Sequence, residues 1–405
     1  MRGTDAGKWG GRGFAGAVGL KVWVEVSEER LAGNLRAVRE AAGAETEVLA
    51  VVKANAYGHG LERCSAVLAR AGARWLGVTC VHEGARVRVA LAAAGIGYGI
   101  GILVMCGFLP EDVGALVEQG LTPVVWTREQ VGWLGEHAGM RVHMEVDTGM
   151  GRQGVRPGAE LEELFDALKG AGLVVDGVFT HLCESEVAGS ELTREQERRF
   201  EGVVAQVWKR GLRPAWVHAG NSSFVDNPVG DSVGGSRWLV ALAKSAGARA
   251  MVRSGLALYG YCLQIEGEKP AAGKVRDALR PVMTWKTRVL AVRELAQGET
   301  VGYGATFEAP GAMRVALLPV GYADGLRREL SGSNARPGGW VMVHGRKAPI
   351  VGRVSMNLTV VDVTGIGGVS AGDEVVLLGD GVTAEDHARL AGTIPYEILC
   401  GVRER

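Results

Sequence analysis

The sequence predicts an α/β chain: an N-terminal (β/α)8, TIM-like barrel followed by a C-terminal, mostly-β domain. Three observations carry this. Between about residues 21 and 265, short apolar, β-branched runs alternate with amphipathic runs rich in Ala, Leu, Glu and Arg. That is the rhythm of βαβ units around a parallel sheet, and eight such units need about 250 residues to close into a barrel. From 274 to 405 the rhythm gives way to short β-rich segments separated by Gly-bearing turns, which reads as a mostly antiparallel β domain.

In order along the chain, residues 1–20 are Gly-rich with scattered basic residues and read as a loose extension without a secretory signal. The strand-like runs of the barrel are Glu47–Lys53, Trp75–Thr79, Ile102–Met105, Thr122–Val125, Arg141–Val146, Gly177–Thr180 and Pro214–His218. Helix-like runs include Ser27–Ala42, Gly60–Ala71, Glu111–Gln119, Gly158–Ala171 and Thr193–Trp208. The stretch Val89–Pro110 lacks any charge and is long enough for a membrane span. Its five glycines split it, so it reads as a helix end, a turn and a buried strand. Gly267–Gly273 reads as the linker. Beyond it, Val282–Val292, Met313–Val320, Gly339–His344, Leu358–Val363 and Asp373–Leu378 are β-like, with one helix-like piece at Thr383–Leu390.

Composition excludes several classes. Lys+Arg and Asp+Glu both number 45, so no net charge draws the chain to nucleic acid or an anionic membrane. With 47% apolar and 22% charged residues, the chain can build a large core and is not a disordered one. Its six cysteines form no CxxC pair. They read as reduced thiols of a cytoplasmic protein, neither a disulfide framework nor a metal site.

The chemistry concentrates at strand ends, where barrel enzymes build their sites. ValValLysAlaAsnAlaTyrGlyHisGly (51–60) puts Lys53 at the end of an apolar strand, ahead of a Gly-flanked turn. A lysine there either caps the strand or is desolvated for Schiff-base chemistry. GluValAspThrGlyMetGlyArgGlnGly (145–154) carries Arg152 on a Gly-rich loop, suited to a carboxylate or phenolate oxygen or to a surface ion pair. His181 follows another apolar strand, as does HisAlaGlyAsnSerSer (218–223), whose Asn221 and Ser222 could bind phosphate or simply close a turn. ArgSerGlyLeu (253–256) offers the bare N–H groups of Gly255 and Leu256 to an anion. In the β domain, Tyr303 stands between glycines in ValGlyTyrGlyAlaThrPhe (301–307).

The segment around Lys53 resembles the cofactor-attachment site of the alanine racemase family through Lys53, Asn55, Ala56, Tyr57, Gly58 and Gly60, and the resemblance continues in order from about 21 to 400. It implies a pyridoxal 5'-phosphate enzyme that racemises alanine with two bases. By resemblance, Lys53 bonds the cofactor covalently and is one base. Tyr303, from the partner subunit of a homodimer, is the other. Ser222, Gly255 and Leu256 hold the phosphate, joined by Tyr57 and Tyr396, with Asn221 beside them. Arg253 meets the pyridine nitrogen and His181 holds Arg253. Arg152 lies beside the phenolic oxygen and the substrate carboxylate, while Tyr322 and Met356 serve the substrate end, Met356 again from the partner. Glu186, Arg328 and Arg353 line the access channel.

The chain departs from many relatives in four places, one of them the ending GlyValArgGluArg (401–405) in place of the usual basic-proline one. Glu145 stands where they carry a carbamylated lysine, and is expected to orient Arg152 by a charge-assisted pair. Ser355 often is Cys, and Asn357 often is Asp. The alternatives are a racemase of serine, lysine or several amino acids, a non-catalytic cofactor carrier and a barrel-type decarboxylase. A carrier would lack residues 270–405. A decarboxylase would place a carboxylate where Arg253 stands. Tyr303 and Tyr396 crowding the site favour a methyl side chain, hence alanine.

Overall fold

The structure, a computed structural model, describes residues 21–228, 235–267 and 272–404. The extension expected over 1–20 and the middle of the linker expected at Gly267–Gly273 lie outside the described residues. After strand β1 (Val22–Val26) come the eight strands of a closed parallel barrel: β2 (Thr46–Val51), β3 (Trp75–Val78), β4 (Gly101–Val104), β5 (Thr122–Val125), β6 (Arg141–Val146), β7 (Val174–Thr180), β8 (Trp216–His218) and β9 (Arg249–Ser254). Closure is direct, with Thr46–Ala50 in register with Ala250–Ser254. Almost every barrel-strand position is buried, because helices cover the outer face and side chains fill the inner one. Val89–Pro110 resolves as expected into the end of the helix Val81–Ala93, a turn and β4. Among the described residues, no helix is long and apolar enough to cross a membrane.

Several elements escape the sequence pattern. Strand β9 reads ArgAlaMetValArgSer, and its charged residues hide an otherwise apolar strand. The helix Gly235–Ser245 is also unmarked in the pattern, and the short helix Pro395–Gly401 spans too few residues for a period to show, starting on its proline.

The β domain contains β10 (Met283–Arg288), β11 (Ala291–Leu295), β12 (Thr300–Val301), β13 (Phe307–Glu308), β14 (Met313–Leu318), β15 (Trp340–Val343), β16 (Arg346–Pro349), β17 (Thr359–Asp362) and β18 (Glu374–Leu378). One sheet runs β1-β10-β18-β15-β16 and a second β11-β14-β17. Strand β1, unmarked in the sequence reading and within the span given to the barrel, therefore belongs to the β domain. It pairs antiparallel with β10, from Val22 opposite Thr287 to Val26 opposite Met283, and Val22 packs in the β-domain core. Alternation such as that of ValTrpValGluVal carries no information about the partner strand. The barrel and the β domain each enclose an apolar core, with Val24 and Tyr396 packing on both.

Candidate active site

The C-terminal ends of the barrel strands open into a cavity of about 290 Å³. Lys53 lines it at the end of β2, immediately before a turn with unusual backbone geometry. Ala54, Asn55, Ala56 and Tyr57 all have φ between 53 and 55°, in the left-handed region that costs a side-chain-bearing residue about 1–2 kcal/mol. Local bonds hold the turn. The Ala54 N–H donates to Glu83 Oε1 (2.8 Å) and the Leu61 N–H to Asn55 Oδ1 (3.0 Å). The His59 imidazole Nδ1 bonds the Ala56 and Tyr57 carbonyls at 3.0 and 2.9 Å. Gly58 ends the turn, and a Cβ there would lie 2.4 Å from the Leu399 carbonyl oxygen. Strain concentrated beside a chemistry-bearing lysine is the usual price of fixing its direction. Glu83, which also accepts from the Thr79 N–H and hydroxyl, is part of this clamp and went unmarked in the sequence.

The seventh and eighth barrel strands build an anion cradle. Ser222 Oγ accepts from the Gly255 and Ala257 N–H groups, both at 3.1 Å, and lies 3.2 Å from Ser254 Oγ. Asn221 caps the short helix Ser222–Asp226 by accepting from the Phe224 N–H (3.1 Å). Gly255 has no Cβ where one would fall 2.1 Å from the Tyr57 hydroxyl oxygen. The glycine thus leaves open the place where a phosphate would meet backbone N–H groups and Tyr57. Tyr57 packs on Tyr259 and Tyr396, with ring centroids 4.8 and 5.9 Å away.

Arg253 is buried at the centre. Its Nη2 donates to the Thr180 carbonyl (2.8 Å) and His181 Nδ1 (3.1 Å), and its Nη1 to His218 Nδ1 (3.2 Å). Burial pulls its pKa down to about 10, which still leaves a cation at neutral pH. Burial, then Arg253, pulls His181 down to about 3, so that imidazole is neutral and can accept from the guanidinium. His218 therefore serves Arg253 from inside the barrel and takes no part in the anion cradle, although its neighbours do. Its position in the apolar strand Trp216–His218 was the available signal.

Glu145 departs from expectation. Arg152 lines the cavity, but the Glu145 carboxylate is hydrogen-bonded by Gln153 Nε2, which also donates to the Met105 carbonyl (2.7 Å). Gln153, one residue past Arg152, bonds the carboxylate that the arginine was expected to take. Desolvation raises the Glu145 pKa above its ordinary value of 4.5. A raised carboxylate pKa means a contribution to stability that is full below 4.5 and is lost as pH rises through the folded value. Glu145→Gln keeps an acceptor for Gln153 and removes that loss. The melting temperature of the variant relative to the parent should therefore be unchanged at pH 4 and rise progressively towards pH 8; a constant difference across that range would contradict this.

Of the expected site residues, Lys53, Tyr57, Arg152, His181, Asn221, Ser222, Arg253, Gly255, Leu256 and Tyr396 all line this one cavity. Tyr303, Tyr322 and Met356 do not. They stand on the β-domain surface, 71%, 44% and 56% exposed. Tyr303 lies in a Gly-flanked turn against Arg353, and Tyr322 shares a neighbouring concavity with Arg328. Asn357 donates to Asp324 Oδ2 at 3.4 Å.

Residues 26–262 match the family model of the alanine racemase N-terminal domain, and 282–405 that of the C-terminal domain. The chain is 37% identical to the alanine racemase of Symbiobacterium thermophilum over 394 residues, covering 95% of both chains. It is also 37% identical to that of Cutibacterium acnes over 387 residues, covering 93% of this chain and 94% of the relative. Among solved structures, the alanine racemase of Streptomyces coelicolor A3(2) superposes with a TM-score of 0.80 at 32% identity, over 95% of this chain and 96% of that one. The Bartonella henselae alanine racemase with covalently bound pyridoxal phosphate superposes with a TM-score of 0.76 at 27% identity, over 94% and 97%. A strand-end lysine, an anion cradle and a buried arginine, set in a barrel and β domain that match from end to end, place this chain in the alanine racemase family, as a pyridoxal-phosphate-dependent racemase.

Proposed function

We propose that this protein interconverts L- and D-alanine in a homodimer whose two active sites each draw residues from both subunits. The observation that carries it is the convergence of Lys53, the Ser222–Gly255 cradle and Arg253 on one cavity. The cofactor, when bound, supplies an electron sink that acidifies the Cα–H of the amino acid. Lys53 would hold it covalently. The N–H groups at Gly255 and Leu256, with Ser222 and Tyr57, would hold its phosphate, while Arg253 would meet its ring nitrogen and Arg152 its phenolic oxygen. Arg253 donates only, so it gives no proton to a ring nitrogen. That tempers the sink and favours return of a proton to Cα over loss of another group.

Racemisation needs a proton acceptor on each face of Cα. The Lys53 Nζ serves one face. Tyr303 of the partner subunit serves the other, with Met356 of the partner subunit at the substrate carboxylate. This reading is supported by the exposure of Tyr303, Tyr322, Met356, Leu358 and Ile394 on the β domain, large apolar side chains that an interface would cover. Tyr396 narrows the cavity towards a methyl side chain. Six free cysteines suit a reducing cytoplasm, where the enzyme would supply D-alanine to the cell wall or feed alanine catabolism.

The test is chiral analysis of product from purified protein with pyridoxal phosphate and L-alanine, L-serine or L-lysine in parallel. D-Alanine should dominate. D-Serine or D-lysine at comparable rates would refute the alanine preference, and no D-product from any of them would refute the racemase reading for these substrates.

A further inference from the structure

Behind Arg253 a line of polar groups runs down through the barrel. His218 Nε2 lies 2.9 Å from His143 Nδ1, and both rings are fully buried. His143 Nε2 has no hydrogen-bond partner and faces Asp176 Oδ2 at 3.9 Å. Asp176 is itself held by Arg141 at 2.6 Å, near the N-terminal ends of β6 and β7. The rings are packed into place. A Cβ on Gly177 would fall 2.5 Å from the His143 ring, so only glycine opposite it leaves room. Trp75 lies 5.3 Å from His143, and Phe179 stacks on His218 at 4.4 Å.

The chemistry of the donors gives this line a direction. A guanidinium can only donate, so His218 Nδ1 must accept and its proton must sit on Nε2. That proton points at His143 Nδ1, which must accept in turn, leaving the second proton on His143 Nε2, aimed at the Asp176 carboxylate. One tautomer of each ring satisfies both hydrogen bonds, Arg253 to His218 and His218 to His143. The opposite tautomer of His218 would set a ring N–H against the Arg253 N–H.

We propose that His143 is a positioning residue of the racemase, acting through His218: by accepting from His218 Nε2 it fixes the tautomer that holds the Arg253 guanidinium in place. The functional part rests on the role given to Arg253 under Proposed function; the tautomer part does not. Asp176, anchored by Arg141, ends the line with a negative charge facing the last N–H.

Histidine-labelled (15N) holoenzyme tests it by long-range 1H–15N correlation at pH 7, with signals assigned through single substitutions. His143 and His218 should both be neutral with the proton on Nε2. His59, whose Nδ1 faces two carbonyls, should carry its proton on Nδ1 and serves as an internal control. His143→Leu removes the acceptor; it should change the His218 tautomer signal, shift the absorption maximum of the bound cofactor and lower racemisation about tenfold. His143→Asn, whose Oδ1 replaces the accepting Nδ1, should restore all three. A proton on Nδ1 of either ring in the parent would overturn the proposal, as would Leu and Asn variants alike in every readout. If the parent yields no D-alanine while the tautomers are as stated, the function reading fails and the direction of the line stands.

Discussion

Mixed in equal amounts and allowed to exchange subunits, Lys53→Ala and Tyr303→Phe proteins should regain about one quarter of the parental racemase activity, although each alone is nearly inactive. Each substitution removes one of the two proton-handling groups, a loss of about 10²–10⁴-fold for the tyrosine hydroxyl. In a homodimer with sites completed in trans, a hybrid carries both defects in one site and neither in the other. Random exchange makes half of the dimers hybrid, and half of their sites are intact. The geometry motivates this result directly: Lys53 faces the barrel cavity, whereas Tyr303 stands 71% exposed outside it. Activity assays and sedimentation on the same mixture check it. Dimer formation without recovery would place the second base in the same chain as Lys53, or on another residue.

Gly255→Ala should weaken pyridoxal phosphate binding roughly ten- to a hundredfold, as read by absorbance titration of the cofactor-free protein. The obstacle is space around Gly255, whose φ of −121° is not in the left-handed region. The added Cβ would fall 2.1 Å from the Tyr57 hydroxyl oxygen and 2.8 Å from its ring carbon. Tyr57 cannot yield easily, because it is buried between Tyr259 and Tyr396 and anchored in the left-handed turn next to Lys53. Overpacking of this kind costs about 1–3 kcal/mol, and each 1.4 kcal/mol is a factor of about ten in affinity. An unaltered titration would mean that the phosphate lies elsewhere. A melting curve in the absence of cofactor separates lost binding from lost fold.

Much of this was legible in the sequence because barrels put their chemistry at strand ends, and strand ends can be read. Lys53, His181 and Ser222 each follow or close an apolar run, and the structure gathers them with Arg253 into one cavity. What escaped depends on partners rather than on position. Nothing in the alternation of Val22–Val26 says that it pairs with Met283–Arg288. Glu145 was expected to orient Arg152 because it stands where relatives carry an anionic carbamylated lysine, yet the residue that bonds its carboxylate is Gln153. His143 did leave a trace: it stands two residues before Glu145 in ArgValHisMetGluVal, so both fall on the same face of one strand. A polar pair at that spacing within a buried barrel strand marks an interior polar line.

The place of β1 has a consequence for the way the chain can be divided. The first described strand is an edge strand of the β-domain sheet, and the Val24 N–H donates to the Glu404 carboxylate at 2.9 Å, near the other end of the chain. Severing the peptide between the barrel and the β domain would thus leave the two pieces stitched together by β1. The barrel piece made alone would display β1 as an unsatisfied ribbon of backbone donors and acceptors, ready to recruit any exposed sheet edge. The two architectural units thus share one sheet, with the chain's first described strand built into the second unit.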